Sequence, residues 1–159
     1  MGQRMKTAIE GLTLTELSQF ADKRGSVLHM VRSNTPDFAG FGECYFSEVA
    51  PGAIKAWKRH RLQTQNLAVP IGRIRLVVYD DRPDSSTYGK IDILELGRPE
   101  TYARVRIPPG LWYGFANFGR QVGLIVNCTD IPHDPLEGEG LSHDDPKIPY
   151  RWAEREATL

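Results

Sequence analysis

Two stretches of the chain alternate apolar and polar residues with a period of two. In RIRLVVYD (73–80), Ile74, Leu76 and Val78 fall on one side and Arg73 and Arg75 on the other. In YARVRIP (102–108), Val105 and Ile107 oppose Arg104 and Arg106. That is the period of a strand with one buried face. Five further segments are short and rich in β-formers: SVLHMVR (26–32), GECYFSEV (42–49), AIKAWKRH (53–60), KIDILELG (90–97) and VGLIVNC (122–128). Gly, Pro and Asp punctuate them, most openly at DDRPDSSTYG (80–89). One helical candidate stands near the start, where Thr15 can cap a short segment through Glu16, Leu17 and Phe20 that ends before Gly25. The tail IPHDPLEGEGLSHDDPKIPYRW, rich in Pro, Asp and Gly, reads as an extended arm laid on the domain. The pattern predicts an all-β sandwich or barrel with one short N-terminal helix.

Composition narrows the setting. A chain of 159 residues fits one domain better than two. Twenty Lys and Arg balance twenty Asp and Glu, so neither nucleic acid nor a membrane surface is expected as a general partner. No apolar run is long enough to predict a membrane-spanning helix. The opening MGQRMKTAIEGL lacks the apolar centre of a signal peptide and the Ser or Thr of a myristoylation site. Cys44 and Cys128 then read as buried thiols rather than a disulfide, and the chain as cytoplasmic.

Residues 52–72 carry a sharper signal. Metal-binding cupin barrels have a first motif G-x5-H-x-H-x4-E-x6-G. The same frame here reads Gly52, Lys58, His60, Gln65 and Gly72. The second cupin motif, P-x-G-x2-H-x3-N, is matched by Pro108, Gly110, Tyr113 and Asn117. Three of the four usual ligand positions are therefore changed. An ammonium repels a divalent cation, and one imidazole beside an amide makes a poor transition-metal site, so no metal and no other cofactor is expected. Strand alternation puts Ile54, Ala56, Lys58 and His60 on one face of 53–60 and Lys55, Trp57 and Arg59 on the other. If the first face lines the barrel, Lys58 and His60 lie near its mouth. An interior Lys, His and Tyr suit proton transfer or an anionic ligand. Trp57 and Trp112 are expected to pack on the outer face or at a subunit contact.

The order and spacing of several further elements resemble the dTDP-4-dehydrorhamnose 3,5-epimerase family of cupins. They are Asp22-Lys-Arg-Gly25, GAIKAW, IGRIRLVVYDDR, STYGK, RIPPGLWYGF and HDDP. The resemblance covers a single jelly-roll domain at 8–153, leaving 1–7 and 154–159 as flexible termini. It implies a homodimer acting on a nucleotide-diphosphate 4-keto-6-deoxysugar. Arg24 and Lys55 match arginines that bind the diphosphate, and Asp145 matches the aspartate that orients the catalytic base. Lys58 stands where the family has its histidine base, Gln65 where it has the enolate-binding lysine, and Val126 where it has the tyrosine acid.

The altered set still permits enolate chemistry. A base removes a proton next to the ketone, and a donor stabilises the enolate oxygen. Lys58 serves as base if burial lowers its pKa. His60 is the other candidate and needs no large shift. With Lys58 charged, His60 abstracts, Lys58 stabilises the enolate, Tyr113 returns a proton, and Asp145 holds Lys58 or His60. Asp144 is an alternative to Asp145. Lys58, His60, Tyr113 and Asp145 are thus the expected catalytic residues, and Arg24, Lys55 and Gln65 the expected substrate-binding ones. The resulting expectation is metal-independent epimerisation of a sugar nucleotide. Keto-isomerisation of the same substrate class, or a non-catalytic sugar-nucleotide-binding module, are the alternatives.

Overall fold

The structure, a computed structural model, describes residues 2–152. Among them the elements are thirteen strands and no helix. They are β1 (Arg4–Met5), β2 (Thr13–Glu16), β3 (Gln19–Asp22), β4 (Gly25–Leu28), β5 (Glu43–Val49), β6 (Ile54–His60), β7 (Gln65–Ile71), β8 (Arg73–Tyr79), β9 (Ile91–Gly97), β10 (Ala103–Ile107), β11 (Trp112–Ala116), β12 (Gly123–Thr129) and β13 (Gly138–Gly140). A six-stranded sheet runs β1-β2-β10-β7-β12-β5, and a five-stranded sheet runs β13-β6-β11-β8-β9. The hairpin β3-β4 forms a separate two-stranded sheet. The two large sheets face each other as the jelly-roll sandwich of a cupin.

The expected N-terminal helix is not present. Its cap Thr15 lies in β2, and its later part forms β3. The segment finds a backbone partner far along the chain: β2 pairs with β10, Leu14 opposite Val105. Both of those side chains enter the core. A short isolated helix is marginal in water, so this long-range pairing wins. Of the two termini, Arg4–Met5 pair with β2, and residues 153–159 lie outside the described residues.

The core lies between the sheets, and alternation explains its membership. Ile74, Leu76 and Val78 of β8 meet Val105 and Ile107 of β10, with Leu67 and Val69 of β7 and Ile125 of β12. A second cluster covers the outer face of the smaller sheet. There Trp57, Val77, Tyr79 and Trp112 surround Ile148, with Leu141, Tyr150 and Trp152 against them. The C-terminal arm therefore lies on the sheet, and it makes β8 apolar on both sides. Gly72 joins β7 to β8 at φ +76°, where a Cβ would come within 2.5 Å of the Val122 carbonyl oxygen, so the turn needs glycine.

Two details depart from simple alternation. Tyr113 of β11 pairs with Lys58, and Phe115 pairs with Lys55, so β6 sets two residues, Ala56 and Trp57, against the single Gly114. This bulge re-aims the strand. Lys55, expected opposite Lys58, lines the same cavity, and Ala56 lines it as expected while also touching the outer cluster. The cysteines also differ from expectation. Cys44 is exposed and Cys128 half-buried, because they occupy the edge strand β5 and its neighbour β12. They lie directly opposite each other.

Candidate active site

A cavity of about 390 Å³ opens between the two sheets. The larger sheet supplies Tyr45 and Ser47 from β5 and Ile125 and Asn127 from β12. The smaller sheet supplies Lys55 and Lys58 from β6 and Tyr113 and Phe115 from β11. The bulge in β6 is what brings both ammonium groups to one wall. Lys55 is tethered to the facing wall, its Nζ donating to the Glu48 carbonyl and, at 3.3 Å, to the Ser47 hydroxyl. Lys58 is exposed and lines the cavity.

Behind Tyr113 lies a buried chain of three groups. The Tyr113 hydroxyl is 3.0 Å from His60 Nε2. His60 Nδ1 meets Glu137 Oε1. Glu137 Oε2 in turn accepts the backbone amides of Arg61 and Leu62 at 3.0 Å and Gln63 at 3.2 Å. Burial alone would raise the Glu137 pKa, but the Leu62 and Gln63 amides and the His60 contact hold it down at about 2. Burial lowers the His60 pKa against the pull of Glu137, and the Lys58 charge pushes the same way as burial. His60 is therefore neutral. Its Nδ1–H donates to the carboxylate, which leaves Nε2 to accept the Tyr113 hydroxyl proton. Burial pushes the Tyr113 phenol well above its ordinary value, with Tyr45 and Glu137 adding to the effect. His60 itself does not line the cavity. It reaches the interior through Tyr113.

The remaining expected site residues fall in different places. Gln65 is 1% exposed and stands behind the wall, its amide donating to Gln63 and accepting from Asn127. Asn127 is the member of that network at the cavity, and it also donates to the Tyr45 hydroxyl at 2.9 Å. Of the β12 residues, Ile125 and Asn127 line the cavity, and Val126 between them does not. Asp145 accepts the Lys147 amide in the turn that leads the arm to Ile148. The carboxylate that His60 meets is Glu137, not Asp145. Arg24 sits on the β3-β4 turn with an 83% exposed side chain paired to Asp22, away from the cavity of its own chain.

Sequence reasoning missed Glu137, Tyr45 and Asn127. Alternation along ECYFSEV could have paired Tyr45 with Ser47. Nothing around Glu137 marks it. Both nitrogens of His60 are engaged. Among the described residues, no three His, Cys, Asp or Glu side chains converge as a metal site would require. The same residues include no helix long and apolar enough to cross a membrane.

A jelly-roll sandwich whose inter-sheet cavity holds phenols and ammonium groups over a buried imidazole is a cupin equipped for acid–base chemistry. The chain belongs to the dTDP-4-dehydrorhamnose 3,5-epimerase family, whose sequence profile matches residues 6–159. It is 33% identical to the probable low-salt glycan biosynthesis epimerase Agl13 of Haloferax volcanii, over 89% of this chain and 88% of that one. It is 29% identical to the spore coat polysaccharide biosynthesis protein SpsL of Bacillus subtilis, over 91% and 96%. A dTDP sugar isomerase crystal structure from Desulfovibrio desulfuricans superposes with a TM-score of 0.91 at 50% identity, covering 93% of this chain and 94% of that one. NovW, a 4-keto-6-deoxy sugar epimerase of Streptomyces spheroides, superposes at 0.84 with 20% identity, covering 96% and 79%, a likeness of fold. The family makes the chain an isomerase-class enzyme acting on nucleotide sugars.

Proposed function

We propose that the protein epimerises a nucleotide-diphosphate 4-keto-6-deoxysugar, without metal, by removing and returning a proton next to the ketone. The observation that carries this reading is the buried Glu137–His60–Tyr113 chain, which ends at a cavity containing two lysines. In the proposed reaction the Tyr113 proton passes to His60 Nε2, and the resulting imidazolium is held against the Glu137 carboxylate. In the same step the Tyr113 oxygen takes the proton from the carbon next to the ketone, so no free phenolate builds up against the burial that opposes it. The Lys58 ammonium stabilises the enolate oxygen, where charge develops. Tyr45, on the opposite wall and fixed by Asn127, returns a proton to the other side of the carbon. After release, water carries the extra proton from His60 to Tyr45, which restores both groups. Lys55 and Arg24 serve the diphosphate, and Gln65 and Asp145 act behind the wall and in the arm.

The assembly proposed is a cytoplasmic homodimer. The β3-β4 hairpin belongs to neither large sheet, and it exposes Phe20 and Val27, which pair across its two strands. A second copy would cover them and bring Arg24 toward the partner.

Incubation with a 4-keto sugar nucleotide in deuterated water, followed by NMR of the ring protons, tests the reading. Exchange at both flanking carbons corresponds to 3,5-epimerisation. Exchange at one corresponds to a single epimerisation or a keto-isomerisation. Binding without exchange would leave a sugar-nucleotide-binding module. Tyr113→Phe and Lys58→Ala should each slow exchange by at least about ten-fold. Wild-type rates in both would remove the catalytic assignment.

A further inference from the structure

A second cavity, larger at about 550 Å³, lies on the outer face of the six-stranded sheet and shares no residue with the first. Its floor is β2 and β10, paired so that Arg106 stands opposite Thr13 and Arg104 opposite Thr15. Their neighbours Leu14, Val105 and Ile107 point into the core, so these four side chains face outward into the cavity. Arg4 and Arg32 join the lining, which then holds four guanidinium groups against the carboxylates of Glu16 and Asp37. Two positive charges are left over.

Unmet hydrogen-bonding capacity gathers at the same place. Arg104 is 4% exposed, and although it pairs with Asp37, its Nε has no partner. Arg106 Nε is also buried without a partner, and among the described residues Arg106 forms no ion pair. The Thr13 hydroxyl, in a residue 8% exposed, is likewise unpartnered. Buried donors are rarely left unmade, and a guanidinium favours planar oxyanions. Residues 104 and 106 are on one face of a strand, their backbones roughly 7 Å apart, so the two arginines stand side by side on the cavity floor, within the span of one oxyanion.

We infer that this cavity binds a phosphate group carrying about two negative charges, as a phosphate monoester does near neutral pH. A carboxylate, with one charge, would leave one of the two excess cations unopposed. The site is separate from the reaction proposed above and does not depend on it.

Calorimetric titration of the full chain tests this with inorganic phosphate, glycerol 3-phosphate and acetate. Saturable binding of about one phosphate per chain is expected, with acetate at least about ten-fold weaker. Tighter binding of the monoester would identify the ligand as a phosphorylated metabolite, and equal affinities would identify free phosphate. Binding should persist in the Lys55→Ala, Lys58→Ala double variant, which disables the other cavity. Arg106→Gln should weaken it by at least about ten-fold, and Thr13→Val should weaken it less, both with unchanged circular dichroism. The inference fails if no phosphate binds saturably, as when a second copy closes this face. It also fails if acetate binds as well as phosphate, or if the lysine variant loses binding while Arg106→Gln keeps it.

Discussion

Three backbone amides and one imidazole converge on Glu137, and they keep its carboxylate ionised where little water reaches. A shift from 4.5 to about 2 corresponds to on the order of 3 kcal/mol of differential stabilisation. This group contributes stability above its unfolded value of 4.5 and loses it as pH falls toward 2. His60 has the same sign for a different reason. Its folded pKa lies below the ordinary 6.5, so below that pH the unfolded chain takes up a proton that the folded chain resists. Urea midpoints should therefore fall continuously as the solution is acidified from pH ~7 to ~4. His60→Gln should flatten the upper part of that slope, and a midpoint that rises on acidification would contradict the picture. His60 and Tyr113 were legible in the sequence because two motif spacings fix them. Glu137 was not, since it sits among turn residues and joins the site only when the chain returns across 77 positions.

Elements followed local period where they are buried on one side and escaped it elsewhere. The alternating β8 and β10 were readable residue by residue. The segment QNLAVPI of β7 has no alternation and contains a proline, and WYGFA of β11 is short and holds a glycine. The helix expected from Leu17 and Phe20 reflects a spacing of three that a distant partner, β10, overrides. The bulge in β6 has no signature in GAIKAWKRH, because it arises from registry with β11. The C-terminal arm was legible as an arm, and its most deeply buried side chain is Ile148, enclosed among Trp57, Tyr79 and Trp112. Ile148→Ala should lower stability by about 2–5 kcal/mol, with the tryptophan emission reporting the unfolding. A loss below about 0.5 kcal/mol, as at ordinary surface sites, would mean that the arm contributes little.

Over the whole molecule, the cupin frame was visible in two spaced motifs, but the strand order was not. Neighbours such as β2 and β10 are far apart in sequence, and their pairing depends on the closed sandwich rather than on either segment. The balanced charge of the chain also conceals a local excess of arginine on the outer sheet face, which composition averages away. The proposed dimer makes a direct prediction at this scale. The wild-type chain should sediment at about twice the 17.9 kDa of one copy. Phe20→Asp with Val27→Asp, changing two exposed side chains, should shift it to one copy while leaving circular dichroism unchanged. A wild-type monomer would refute the assembly.

The facing sulfurs of Cys44 and Cys128 give the border of the larger sheet a chemistry of its own. Burial and the adjacent Cys44 push the Cys128 thiol up to about 12, so at neutral pH it stays protonated. An oxidant that removed two hydrogens would add a covalent rung across β5 and β12, fastening an edge strand of the larger sheet and bracing the wall that holds Tyr45 and Asn127.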